Sequence, residues 1–209
     1  MKDLTARFSE PINIGRPRAG RLIEGLSPKL ARRVRLFDHA TFAVWIAIEA
    51  DPTVITFCEH PARIAANETD PPIDFWVRRA NEEEFILVAA AATPASLIKS
   101  IGDIKVRYVA DAELAAANTW ILNWKRMLPV INATRPAITR ALTTSIRKLV
   151  VGPSPLAEIE QHLSVGDPTL VRGAIFDIVD ESKCRTAWCQ RPIGESLSGV
   201  RLLLFLSAQ

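Results

Sequence analysis

Two short runs of strand-forming residues, Ile73–Arg78 and Phe85–Ala91, stand on either side of the charged turn Ala80–Glu84. β-branched and aromatic residues of this kind favour a pleated, half-buried surface, so the pair predicts a β-hairpin. A third run, Val54–Cys58, precedes them and is closed by Glu59-His60-Pro61, with a polar, proline-containing loop at Asn67–Pro72 between. Before that strand, Phe37, Thr41, Val44, Trp45 and Ile48 recur at three- and four-residue steps, which predicts a helix over about Leu36–Ala50 that Asp51-Pro52 ends. Helix, strand, loop and hairpin in succession constrain this half of the chain to a small α/β core.

The second half reads as helices. Ala112–Asn118 leads into Thr119–Val130, where Ile121, Trp124, Leu128 and Ile131 form an apolar stripe. Ile138, Leu142, Ile146 and Leu149 mark another helix, ended by Gly152-Pro153; Leu156, Ile159 and Leu163 mark a short one. Asp167 is the expected N-cap of a further helix, with Pro168 in its first position and Leu170, Val171, Ala174, Ile175 and Ile178 on its buried side. Cys184–Cys189 and Val200–Leu206 read as strands around Arg191-Pro-Ile-Gly194. Three helices followed by a two-stranded ribbon is the winged-helix pattern, which lays its third helix in the major groove. Here that helix offers Arg172, with Thr169, for reading DNA before Asp177, Asp180 and Glu181, so docking of a protein has equal weight; Lys183, Arg185 and Arg191 surround the wing.

Charge is unevenly placed. The net charge is +3, yet residues 1–36 hold nine Lys/Arg against three Asp/Glu, which leaves seventeen cations and twenty acids for the other 173 residues. Arg16, Arg18, Arg21, Lys29, Arg32, Arg33 and Arg35 are interrupted by Glu24 alone, and the Gly and Pro among them predict an extended arm. Such an arm neutralises phosphates and releases counterions; the bland alternative is a solvated, solubilising tail. The expected organisation is a basic arm over 1–35, an α/β domain over 36–110, and a helical linker with a winged helix over 111–209. No apolar run approaches the roughly 20 residues that span a bilayer. Cys58, Cys184 and Cys189 make neither a disulfide framework nor a structural zinc site, so a reducing cytoplasm is the expected setting.

The basic Lys29–Arg35, the helix end Trp45–Val54, the strand exit Phe57–Pro61, and Ile73–Val77 followed by Phe85–Val88 together resemble the TnsA-type transposon endonucleases. These are relatives of restriction enzymes with the PD-(D/E)xK fold. The resemblance implies a restriction-endonuclease-like mixed sheet with flanking helices, followed by a C-terminal winged helix. It also implies a catalytic set of one helix glutamate, one strand aspartate, and an acid or glutamine two residues before a lysine. The aspartate matches Asp74; the other three positions fall on Thr41, Ala89 and Ala91. Carboxylates in such sites hold Mg²⁺ ions that orient water and stabilise charge at the phosphorus, and one carboxylate cannot build that cage.

The leading expectation is therefore a catalytically inactive member of a transposition or related mobile-element system, needing no cofactor, with DNA contact through the arm. The resemblance implies a transposase, an AAA+ regulator or an active nuclease subunit as partners. Two alternatives stand beside it: an active Mg²⁺-dependent endonuclease with rearranged ligands, recruiting Asp38, Glu59 or Glu84, and a winged-helix transcriptional regulator. Plainer roles compete at each position. Asp74 can cap a turn or accept backbone hydrogen bonds, Glu49 reads as a solvated helix end, and His39, His60 and His162 read as hydrogen-bonded bystanders. Trp45, Trp120 and Trp124 read as core.

Overall fold

Ile23–Ser27 (β1) and Arg32–Leu36 (β2) pair as an antiparallel hairpin inside the segment expected to be an extended arm. The computed structural model describes residues 7–17, 20–65, 70–89, 98–150, 154–163, 167–181 and 201–202. The correction has a simple origin: Ile23, Val34 and Leu36 alternate with charged residues and give the ribbon one buried side. Val34 and Leu36 are almost fully buried. Ala31 takes a left-handed conformation (φ 52°) to close the turn. Gly25 lies against the ring of Trp45 so closely that a Cβ there would stand 2.3 Å from it. Residues 7–12 are also tied down, with Phe8 edge-on to Trp76 at 5.5 Å, Arg7 paired with Asp103, and the Ile12 amide donating to the His60 carbonyl.

The first helix, α1, spans His39–Glu49, three residues shorter at its start than the periodicity predicts. Asp38 explains the start, because its carboxylate accepts from the Thr41 amide at 2.8 Å as an N-cap. Four of the five residues of the expected stripe, Thr41, Val44, Trp45 and Ile48, lie in the helix and are buried; Phe37 precedes the helix and is partly buried.

Thr56–Glu59 (β3), Phe75–Arg78 (β4), Glu83–Ala89 (β5), Ser100–Ile101 (β6) and Ile104–Ala110 (β7) form a five-stranded mixed sheet in the order β3-β4-β5-β7-β6. All neighbours are antiparallel except β5 and β7, which are parallel. The predicted hairpin is β4–β5, with a tighter turn than expected, closed by the Arg79 amide on the Glu82 carbonyl at 2.9 Å. Strands β6 and β7 fall between the predicted hairpin and the predicted helices, in a stretch to which the sequence pattern assigned no element. On one face of the sheet, Cys58, Trp76, Phe85, Leu87 and Ile104 form a cluster covered by Phe8, Ala62 and Ile64. Helices α1 and α2 (Asp111–Ala116) touch each other and pack on β5 and β7.

The chain divides into two compact units between Ala116 and Ala117. In the second, α3 (Asn118–Thr134) buries Ile121, Trp124, Leu128 and Ile131 as expected. A 3-10 turn at Arg135–Ala137 leads to α4 (Arg140–Leu149), α5 (Leu156–Leu163) and α6 (Pro168–Glu181). Ser154–Pro155 (β8) pairs antiparallel with Arg201–Leu202 (β9). The strand expected at Cys184–Cys189, with Lys183, Arg185 and Arg191, lies outside the described residues. Helix α6 is the centre of this unit and packs on α3, α4 and α5. Its approach to α3 is so close that Thr134 Oγ1 occupies the space of a Cβ at Gly173, 1.9 Å from where that atom would be. No helix among the described residues is long and apolar enough to cross a membrane.

Candidate functional site

Asp74 immediately precedes β4, where the ladder to β5 has ended with Phe75 opposite Ile86. Its carboxylate takes over from the ladder: Oδ2 accepts the Val88 amide at 2.8 Å, and its main-chain carbonyl accepts from the His60 amide at 2.9 Å. The backbone-bonding reading of Asp74 is thus the one the geometry realises. Burial pushes this carboxyl up to about 6, although the Val88 amide pulls downward; the negative charge of Asp38 adds to the rise.

Thr41 is buried and its hydroxyl donates to Asp38 Oδ2 at 2.9 Å. It serves as the helix-start partner of Asp38 and offers no charge. Ala89 ends β5, and Ala91 lies outside the described residues. The Mg²⁺ cage implied by the resemblance does not fit these residues: Asp74 spends an oxygen on an amide, the Thr41 hydroxyl is held by Asp38, and an alanine side chain at position 89 has no ligand atom. Among the described residues no three His, Cys, Asp or Glu side chains are grouped so as to hold a metal ion.

His60 is the residue that sequence reasoning underrated. It takes a left-handed conformation (φ 46°) that only a tightly determined surrounding maintains. It is 6% exposed, stacks on Phe37 at 6.0 Å, and leaves both ring nitrogens without a hydrogen bond. The bystander reading expected a hydrogen-bonded ring, and that is corrected. Burial pulls its pKa down; Glu59, the backbone of Ile73 and Arg35, which fall short of hydrogen-bond geometry, and Asp38 oppose the shift.

The two groups give opposite pH trends. Asp74 is protonated more readily folded than unfolded, so its contribution to stability is fully present below the ordinary aspartate range and is lost as pH rises through about 6. His60 resists protonation when folded, so its contribution is present above the ordinary histidine range and lost as pH falls. Asp74→Asn keeps an acceptor for Val88 and removes the charge. We expect it to match the wild type near pH 4 and to exceed it at pH 7.5 by up to about 3 kcal/mol in urea unfolding. Identical pH profiles for the two proteins would contradict the upward shift that burial imposes on this carboxyl.

The cations of the presumed arm divide by what they touch. Lys29 Nζ donates to the carbonyls of Asp51 and Val54 at 3.0 and 3.2 Å. Arg32 makes a two-pronged pair with the buried Glu59, both contacts at 2.6 Å. Arg35 pairs with Glu24 at the surface, and Arg16 donates to the Gly20 carbonyl. Arg21 and Arg33 are exposed and have no side-chain partner among the described residues. Arg18 lies outside them. In the second unit Arg172 is gripped by Glu160 at 2.6 and 3.0 Å, and Val171 and Gly173 to Phe176 of α6 are all buried.

Glu49, expected at a solvated helix end, is fully buried and accepts from the Ser27 hydroxyl at 2.9 Å and the Lys29 amide at 2.8 Å. It stitches α1 to the β1–β2 turn. The apolar run Trp45-Ile46-Ala47-Ile48 just before it was the available signal. Cys58 is fully buried, and burial raises its thiol to about 12, which makes it a core residue rather than a nucleophile. No protein-family model matches this chain, and no curated protein matches it either.

Proposed function

We propose that this chain is a nuclease-fold pseudoenzyme of a transposition or related mobile-element system, which contacts DNA and docks partner proteins without cutting. The observation that carries this reading is the use of Asp74 as a clip between strands: its carboxylate binds the Val88 amide, while the hydroxyl of Thr41 is held by Asp38. The five-stranded mixed sheet with α1 and α2 packed on it supports the restriction-endonuclease-like architecture. The order α4, β8, α5, α6, β9, with β8 paired to β9, supports a winged helix in the second unit. The burial of α6 against α3, α4 and α5 weighs against groove reading by that unit's third helix. A transposase, an AAA+ regulator or an active nuclease subunit are the partners this reading calls for. A winged-helix regulator is the weaker alternative for the same reason.

An active Mg²⁺-dependent endonuclease with rearranged ligands is the second reading, and the one observation on its side is that the negative charge of Asp38 is felt at Asp74. Incubation with supercoiled plasmid and Mg²⁺ or Mn²⁺ separates the two. The pseudoenzyme leaves the plasmid intact, whereas nicking that Asp74→Ala abolishes would establish the active enzyme.

A further inference from the structure

From Leu114 to Ala157 the chain carries six cations, Lys125, Arg126, Arg135, Arg140, Arg147 and Lys148, and not one acid. The net charge of the second half hides this, because Glu158, Glu160, Asp167, Asp177, Asp180 and Glu181 follow it. Three of these six acids are already engaged. Glu160 is committed to Arg172, and Asp177 to Arg135 at 2.6 Å. Asp167 turns its carboxylate to the Thr169 amide at the start of α6.

Helix α4 carries three of these six cations, Arg140, Arg147 and Lys148. It packs on α5 and α6, and Ile146 is its only buried side chain. At about 100° per residue, Arg140, Thr144, Arg147 and Lys148 fall within one arc of the helix, roughly opposite Ile146. All four are exposed. The cations at either end of this row are separated by roughly 10–12 Å of helix rise. Cations are the side chains that hold phosphate oxygens most strongly in duplex recognition, whereas the Thr144 hydroxyl donates to the Arg140 carbonyl at 2.8 Å within the helix. No aromatic or large apolar residue lies in the arc for insertion among acyl chains, which separates it from a membrane-surface helix.

We propose that the exposed face of α4, whose cations are Arg140, Arg147 and Lys148, is a docking surface for the sugar-phosphate backbone of duplex DNA. This rests on the DNA-contacting reading above for its partner and replaces α6 as the element of the second unit that meets DNA. The contact is with phosphates and carries no sequence preference of its own.

The test uses the full chain and a short duplex of arbitrary sequence, with binding followed by fluorescence anisotropy over a series of KCl concentrations. The wild type binds with strong salt dependence. R140Q/R147Q/K148Q loses about tenfold or more in affinity at low salt, and its slope of log K against log salt falls by about 2 to 3, near 0.9 for each phosphate that is no longer neutralised. The charge-keeping R140K/R147K/K148R retains both, which excludes misfolding as the cause. If the triple Gln variant keeps the wild-type slope and affinity while R21Q/R33Q loses them, the α4 surface is refuted and the DNA reading survives on the hairpin. If the wild type shows no salt-dependent binding to the duplex, both fall. Loss of binding to phosphatidylserine vesicles but not to DNA in the triple Gln variant would also refute the proposal.

Discussion

Arg32→Ala is expected to destabilise the first unit by about 3–5 kcal/mol. The two-pronged contact to Glu59 leaves that carboxylate with a side-chain exposure of 2%, against 28% for Arg32. Truncating the arginine leaves the buried carboxylate of Glu59 without its counter-charge. The paired replacement R32M/E59L removes both charges together and is expected to recover most of the loss, because a buried ion pair contributes little beyond what a packed apolar pair supplies. Urea unfolding of the two single variants and the double measures this. A single-variant loss below about 1 kcal/mol would show that the pair is as weak as an exposed one. The result also bears on function: Arg32 is a framework residue, and its removal must not be read as the removal of a phosphate ligand.

Gly173→Ala is expected to cost about 3 kcal/mol in the second unit, near the upper end for overpacking. A methyl there would lie 1.9 Å from Thr134 Oγ1 and 2.6 Å from its Cβ. Neither neighbour can move freely, since the Thr134 hydroxyl donates to the Val130 carbonyl at 2.8 Å within α3. The T134A/G173A variant removes the hydroxyl and methyl of Thr134 but leaves its Cβ, and is expected to recover part of the loss. Chemical denaturation followed by the fluorescence of the buried Trp124 reports it. An unchanged midpoint in Gly173→Ala would mean that α3 and α6 are not in contact at this glycine.

Both residues show where sequence reasoning runs out. The helices and the β4–β5 hairpin were legible because their patterns are local: Val44, Trp45 and Ile48 repeat with the helix turn, and Phe85, Leu87 and the residues around them read as a strand. The missed strand β7 also had a local sign, the alternation Ile104-Lys-Val-Arg-Tyr-Val109, which is the period of a half-buried strand. The hairpin β1–β2 was harder. Its dense charge reads as a solvated arm until Glu59 and Glu49, more than twenty residues away along the chain from Arg32 and Ser27, supply the partners. At the candidate site, the single carboxylate and its alanine neighbours were legible as identities. That Asp74 is aimed at the Val88 amide depends on the end of the ladder, and that His60 is buried without partners depends on the fold of the loop around it.

The anchoring of Phe8 against Trp76 and Phe85 governs how the amino-terminal region has to be studied. A shortened version starting after Arg35 would strip a lid from the sheet's aromatic cluster and take away the counterpart of Glu59 and the hydroxyl that greets Glu49. Such a fragment would report collapse of the α/β unit, whatever nucleic acid it was mixed with. Only side-chain edits at Arg21 and Arg33, which leave the scaffold intact, separate gripping a phosphate from holding the molecule together.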